Sequence, residues 1–466
     1  MTASQIFLKT ILMSDNKPNI LFIMADQLRA DYVGCYGATW VNTPNLDALA
    51  KNGTLFNHCY TNSPVCAPAR ISLATGMRPH RTGALDNNAY LPARTPTYYQ
   101  RVRDQEYYVG CSGKLDLAKP DQYNGLNGDR PSNFTFGFTH PIETEGKIHA
   151  GKSDKPFGPY STYLESKGLL KKFHQDFSPR NFFSGHDSVL ETEDWHDAYI
   201  GRSAVEWLKE RPKDYPYHMF VSFAGPHDPF DPPTEYANQY RDREMPARVI
   251  DSGEGKPERI KKRMERVNKH SEEELLTLRR QYCAAIQAID DQIGDILAAA
   301  EARGDDRETY IFFSADHGEM MGDHSLPIKH VAYQPSWRIP LIVSGPGLPE
   351  GKVSEALVEL MDVGETICDL AGSPRPIHVD AHSLLPHLRG ECDDHRDHVV
   401  TIERPFEAIR DKKWKFIQTH NDLSELYDME EDPLELNNLI DDQPEKAQEL
   451  AKLMKESFSE GKYRKG

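Results

Sequence analysis

Four short stretches of the chain are almost continuously apolar: 20–24 (Ile-Leu-Phe-Ile-Met), 219–223 (Met-Phe-Val-Ser-Phe), 310–314 (Tyr-Ile-Phe-Phe-Ser) and 341–343 (Leu-Ile-Val). A strand with one wet face alternates apolar and polar residues. Unbroken runs suit strands covered on both faces of an α/β sheet. Between the runs, apolar positions recur at helical spacing. Thr43-Pro44 predicts the start of a helix through Ala50, with Gly53 just past its end. Further helices are predicted over 194–210, over 272–303 ending near Gly304, and over 361–371 closed by Gly372. The alternation predicts an α/β architecture with helices on both faces of the sheet.

Two segments break this pattern. Residues 120–190 and 224–270 show little periodicity, and the first is rich in Gly, Pro, Asn, Phe and Tyr. Long irregular segments in a compact enzyme are often functional loops. From about residue 392 the pattern changes again. Short strands at 398–402, 406–410, 414–418 and 424–428 follow one another without helices, and a helix over 443–458 closes the chain. The predicted organisation is a flexible N-terminal segment (1–17), a catalytic domain (18–391) and a C-terminal subdomain (392–466).

Composition narrows the function. The 466 residues carry a formal net charge of −17, which argues against nucleic acid or an anionic membrane as the main partner. Any anion site must therefore gather positive charge locally. No run approaches the ~18 apolar residues of a membrane helix. Seven cysteines, at 35, 59, 66, 111, 283, 368 and 392, are scattered without a CxxC pair, so neither a full disulfide framework nor a cysteine zinc cluster is expected. The N-terminus, MTASQIFLKTILMSDNKPN, has an apolar patch broken by Lys9, no basic start and no Ala-x-Ala exit. It makes a poor signal peptide, which favours a cytoplasmic location.

Three of the predicted strands end in polar clusters: Asp26-Gln27, His227-Asp228 and Asp316-His317. Ligands of open α/β sheets bind outside the carboxyl ends of strands, so these groups could meet in one site. Asp26, Gln27 and Asp316 offer oxygen to a hard cation such as Ca²⁺ or Mg²⁺, and His317 tilts the set towards Mn²⁺. Taken singly, each aspartate could instead cap the turn after its strand.

The segment Cys66-x-Pro68-x-Arg70, followed by a short helix ending at Thr75-Gly76, matches the signature of the formylglycine-dependent sulfatases. The resemblance extends along residues 18–440. It takes in Asn19–Asp26, Gly113-Lys114-Leu-Asp116, Pro226-His227-Asp-Pro229, Ser314-Ala-Asp316-His317-Gly318, Lys329-x-x-x-Tyr333, the strand from Arg338 and the tail Glu425–Leu439. It implies an alkaline-phosphatase-like sandwich: a large, mostly parallel sheet between helices, plus a small C-terminal antiparallel sheet with one helix. It implies that Cys66 is oxidised by a maturation enzyme to formylglycine. One hydroxyl of the hydrated aldehyde attacks sulfur, and loss of a proton from the other expels sulfate. This is nucleophilic catalysis with a built-in release step. Asp26, Gln27, Asp316, His317 and the modified Cys66 are implied to hold a divalent metal, calcium ahead of manganese or magnesium. Arg70 is implied to pair with the diol or a metal-binding carboxylate. Lys114 and Lys329 would clamp the sulfate, and His227 would reach the sulfate or act as general acid.

Two positions depart from the usual pattern. Gln27 stands where many sulfatases have a second Asp, which is similar to choline-sulfatase-like and phosphonate-hydrolase-like branches. Asp116 stands where the family has His, and could be a base or a turn cap. The expected activity is hydrolysis of a sulfated saccharide or another small sulfate ester, with the 120–190 aromatics suited to stacking on a ring. A phosphonate monoester or phosphodiester hydrolase with the same nucleophile is the rival enzyme. A non-catalytic sulfated-glycan-binding protein is the rival from another class.

Overall fold

The computed structural model describes residues 17–459. The expected flexible segment over 1–17 and the signal-peptide reading therefore fall, but for the residues from Lys17 on, outside the described residues. Among the described residues no helix is long and apolar enough to cross a membrane, and all seven cysteines are free.

The core is a nine-stranded sheet. Its strands are β1 (Asn19–Ala25), β2 (Thr54–Tyr60), β3 (Tyr108–Gly113), β4 (His140–Glu143), β5 (Tyr217–Ser222), β6 (Thr309–Ala315), β7 (Arg338–Ile339), β8 (Leu341–Ser344) and β9 (Lys352–Glu359). The order is β4-β3-β5-β1-β6-β8-β2-β7, with β9 added beside β2. The run from β4 to β6 is parallel throughout, while β8 and β7 pair antiparallel with their neighbours. Every residue of β1 is buried, as a strand covered on both faces must be. The cover comes from two helix groups. Helix α1 (Pro44–Lys51) and α3 (His196–Glu210) pack on the long α4 (Glu272–Ala302), and α2 (Cys66–Thr75) packs on α5 (Met361–Leu370).

Register matters most for function. Met24 lies level with Ser222, Ala25 with Ala315, and Gly113 with Ser222. Four adjacent parallel strands thus end along one line, and the residues after them emerge at one edge. Gly113 is required there. Its φ is +110°, and a Cβ would lie 1.9 Å from the Ser222 carbonyl oxygen. Only glycine allows so close an approach.

All the strands and helices expected from periodicity are present. Three expectations need correction. Thr43 makes no side-chain cap to α1. Its hydroxyl accepts from Gly34 N, and the α1 N-terminus is capped by Asp290 of α4, which accepts from Asn45 N at 3.0 Å and Leu46 N at 2.9 Å. Segment 224–270 holds two helices, Thr234–Tyr240 and Glu258–Val267. Segment 120–190 holds four short helices and β4. Tyr160, Tyr163, Phe173 and Phe177 form a core of their own, and Phe136 and Phe138 join the core of the main sheet, so these six pack inside the protein instead of facing a ligand.

The tail folds into a four-stranded antiparallel sheet of β10 (Val399–Glu403), β11 (Phe406–Arg410), β12 (Trp414–Thr419) and β13 (Glu425–Asp428), with α6 (Pro444–Ser459). Alternate residues serve opposite faces. Ile402, Ile409, Phe416 and Leu426 receive α6, whereas Phe406, Ile417 and Tyr427 pack on Leu326, Val331, Tyr333 and Trp337. The small sheet thereby supports the loop that carries Lys329.

Candidate active site

Cys66 is the first residue of α2, behind an extended Val65 (φ −158°). Pro68 sits in the first turn, where backbone N–H groups lack helical partners and a missing one costs nothing. Ala67 N instead donates to Asn87 Oδ1 at 3.0 Å. Cys66 is fully buried. Its Sγ lies 3.1 Å from His317 Nε2, 3.8 Å from Asp26 Oδ1 and 3.5 Å from Lys329 Nζ. Burial pushes its pKa up, but Lys114, Lys119, Lys329 and His317 together pull it well below the ordinary thiol value.

Asp26, Cys66, Asp316 and His317 bring their ligand atoms within 4.8 Å of one another, all buried. His317 Nδ1 lies 2.9 Å from the Gly318 carbonyl. A proton donated there leaves the Nε2 lone pair turned into the cluster, as a metal-binding imidazole requires. Two carboxylates, one imidazole and the residue-66 side chain make a donor set that fits a divalent cation. Arg70 holds the carboxylates in place. Its Nε donates to Asp316 Oδ2 at 2.7 Å and its Nη2 lies 3.3 Å from Asp26 Oδ2, while Nη1 donates to Lys114 O and Ser222 Oγ. Burial and the neighbouring residue 66 oppose ionisation of Asp26, yet Lys114, His227 and Arg70 hold its carboxyl below the usual range.

The expected sulfate-binding residues converge on the same point. Lys114 Nζ bonds to Asp26 and lies 3.2 Å from Asp116 Oδ2. Lys329 Nζ bonds to Gln27 Oε1 and, at 2.7 Å, to His227 Nε2. His227 Nδ1 faces Asp228 O at 2.7 Å, so Nε2 is the atom presented to the site. Burial works against both ammonium groups, but Asp116 and Asp26 for Lys114, and Cys66 and Asp26 for Lys329, keep their pKa values raised.

Gln27 and Asp116 behave differently from the aspartates. Gln27 turns its amide nitrogen to Asp228 Oδ1 (3.1 Å) and Glu319 Oε2 (2.6 Å), and its oxygen to Lys329. Asp116 has a left-handed backbone, at φ +55°. Its carboxylate bonds to Lys119 and pairs with Lys114. Burial would raise its pKa, but the two lysines lower it and so weaken it as a base.

Sequence reasoning missed Glu319, Lys119, Ser222 and Asp197. Glu319 is buried, and burial together with Asp228 pushes its pKa up to about 7. Asp197 of α3 accepts from Ala224 N at 2.7 Å and Gly225 N at 2.9 Å, which anchors the turn before His227. Glu319 stood two residues after His317 and could have been found from that adjacency. Asp197 gave no signal, because its partners are backbone groups. Above the cluster opens a pocket of about 350 Å³. Lys114, Asp116, His227, Asp228 and Lys329 line its floor, and Lys119, Lys147, His149, Lys152 and Phe182 line its wall.

Comparisons with known proteins agree with this geometry. The family model described as Sulfatase matches residues 18–373, and that described as N-sulphoglucosamine sulphohydrolase, C-terminal, matches 322–463. The chain is 31% identical to a choline-sulfatase of Rhizobium meliloti, over 92% of this chain and 83% of that one. It is 28% identical to an arylsulfatase of Clostridium perfringens, over 91% and 90%. Among solved structures it resembles the phosphonate monoester hydrolase of Agrobacterium radiobacter, with TM-score 0.78 at 24% identity over 95% of this chain and 96% of that one. With its Cys66-x-Pro68-x-Arg70 helix seated against Asp26, Asp316 and His317, the chain belongs to the sulfatase family and is a sulfuric ester hydrolase.

Proposed function

We propose that Cys66 is converted by a maturation enzyme to formylglycine and that its hydrated form is the nucleophile towards a sulfated saccharide or another small sulfate ester. The observation that carries this reading is the position of Cys66. It starts a buried helix within reach of Asp26, His317 and Lys329 together. Asp26, Asp316, His317 and residue 66 would hold the divalent metal, with Gln27 beside them. When bound, the ion supplies electrophilic pull on a sulfuryl oxygen and acidifies the nucleophile. Calcium, and after it magnesium, suits the carboxylates, and the imidazole tilts the set towards manganese.

Lys114 and Lys329 bind the sulfate oxygens. Near the cluster the cations Arg70, Lys114, Lys119 and Lys329 are matched by the carboxylates Asp26, Asp116, Asp228 and Asp316. A divalent ion therefore leaves a positive surplus, as a sulfate anion needs. His227 serves the departing alcohol. Its Nε2 is the ring nitrogen presented to the site, with the Lys329 ammonium beside it, so a proton held at Nε2 can be given to the leaving oxygen. Asp116 keeps Lys114 and Lys119 in place. The four-stranded sheet beginning at Val399 supports a subdomain boundary near residue 392.

Intact-protein mass spectrometry tests the nucleophile, since conversion of Cys66 to formylglycine removes about 18 Da. Turnover of an aryl sulfate by converted protein, lost in Cys66→Ala, is the expected result. Unconverted protein with full activity overturns the reading. An aryl phosphonate assayed alongside gauges the phosphonate alternative, and the ester with the higher kcat/KM decides.

A further inference from the structure

The chemistry above occupies the pocket floor and leaves the wall without a task. The lining as a whole includes Lys114, Lys119, Lys147, Lys152 and Lys329 against only Asp116 and Asp228. In a chain of net charge −17 this is a local reversal of sign. Most of these lysines have partners. Lys119 bonds to Asp116, Lys147 pairs with Asp231 at 2.6 Å, and Lys329 bonds to Gln27 and His227. Lys152 is exposed, and no ion pair engages it among the described residues.

His149 stands beside it, since Lys152 N donates to His149 O at 3.1 Å. Burial first, and then the charge on Lys152, push the pKa of His149 down to about 4. The ring is therefore neutral near pH 7 and can donate one hydrogen bond at little cost in charge. Phe182, half-buried, completes the wall. A pocket of about 350 Å³ holds much more than a sulfate group. Its spare volume lies where lysines crowd without enough carboxylates, an arrangement that repels a cation and favours an anion.

We propose that Lys152 and His149 form a second anion subsite, so that the preferred sulfate ester carries another anionic group on its alcohol, with Phe182 against the ring between the two charges. The proposal rests on the reading that the scissile sulfate lies at Cys66, Lys114 and Lys329. It sets this chain apart from its choline-sulfatase relative, which is named for the ester of a cationic alcohol. Both carboxylates of this lining are already engaged, Asp116 by lysines and Asp228 by Gln27, so a quaternary ammonium group finds no free counter-charge.

Four probes test it on the full-length, metal-loaded, converted enzyme: a neutral disaccharide carrying one sulfate, the same disaccharide with a second sulfate, a monosulfated disaccharide with a hexuronate carboxylate, and choline sulfate. Wild type should prefer one or both dianionic sugars over the neutral one, and the better of them reveals whether sulfate or carboxylate is read. Choline sulfate should rank last. Lys152→Ala should lower kcat/KM on the preferred dianion about fivefold to tenfold through KM, the size of one lost charged hydrogen bond. The loss on the neutral sugar should be less than about twofold, and Lys152→Arg should restore most of the preference. Added salt should erode the preference. Equal rates on neutral and dianionic sugars, a first rank for choline sulfate, or an unchanged ratio in Lys152→Ala overturns the subsite alone. Failure of wild type on every sulfate ester overturns the assignment of the floor as well.

Discussion

Asp26, Asp316 and His317 are wholly buried and Arg70 is 2% exposed, each bonded to another member of the cluster. Across the pocket, Lys152 is exposed and Phe182 half-buried, and both stand on irregular chain, Lys152 after the short helix Lys147–Ala150 and Phe182 after the helix Leu170–Phe177. The first group hangs from four parallel strands whose ends are level. The second hangs from a segment whose own aromatic core is separate from the sheet. A rigid edge can fix charges at contact distance, as chemistry requires. A wall built from loop residues can change without disturbing the core, which is how substrate choice varies on one scaffold. Changes in the cluster should therefore act on kcat, and changes in the wall on KM.

The largest effect tests the cluster at its centre. Cys66→Ala should lower kcat by more than about a hundredfold, because a covalent nucleophile is lost. Alanine suits a helix start packed on all sides, so the circular-dichroism spectrum and Tm should stay close to wild type. Residual activity above about one hundredth would move the nucleophile elsewhere.

Chelation of the metal comes next. Activity should vanish with EDTA and return with a divalent cation. Because the proposed ligands are buried and carry like charges, removal should also lower Tm by at least a few degrees, as loss of a ligand specific to the native state does. Loss of activity with an unchanged Tm would place the ion in the exposed wall, and the contrast between the two regions would break.

How much of this division was legible in the sequence follows the same line. Strands β1, β5, β6 and β8 announced themselves because both faces are covered, which leaves no polar alternation. β3 did not. Its Gly110 is imposed by Trp207, whose ring would lie 2.4 Å from a Cβ, and its Gly113 by the Ser222 carbonyl. Two glycines in Tyr108–Gly113 erase the apolar run that marks a buried strand. β9 alternates exposed and buried residues at its start and was missed for the opposite reason. In the site, Cys66, Arg70, Asp26, Asp316, His317, Lys114, His227 and Lys329 were readable from motif position, since the chain delivers each directly after a strand or on a signature helix or loop. The wall was not, because Lys119, His149 and Lys152 look like any solvated residues until the fold stacks them over the floor. The cap of α1 by Asp290, 245 residues away, was beyond local reading for the same reason.

Asp116 joins the two regions, and its variants sharpen the comparison. Asp116→Asn keeps a residue that tolerates φ +55° but removes the charge shared by Lys114 and Lys119. A fall of about tenfold in kcat/KM is expected, mostly in KM, with Tm little changed. Asp116→Ala should show the same kinetic loss and an added destabilisation of about 1 kcal/mol, from a left-handed backbone that alanine adopts at a cost. If Asp116→Asn instead produced a burst of alcohol and a stalled sulfated enzyme, the carboxylate would be a base in sulfate release, and Asp116 would belong with the cluster.

The smallest effect lies at the far side of the wall. Phe182 lines the pocket with one face of its ring in reach of the Arg266 guanidinium, 5.0 Å from the ring centroid. Phe183 packs on it as well, with ring centroids 4.5 Å apart, and the part of the ring that lines the pocket is what a sugar would meet. Stacking on an aromatic ring is worth about 0.5–1.5 kcal/mol, which sets the scale. Phe182→Ala should raise KM for a cyclic sulfate ester about threefold to tenfold and leave kcat within about twofold. For a small acyclic sulfate ester, which presents no ring, KM should hardly move. A drop in kcat on both esters would mean that Phe182 supports the floor, and the boundary between rigid chemistry and variable recognition would have to be drawn outside it.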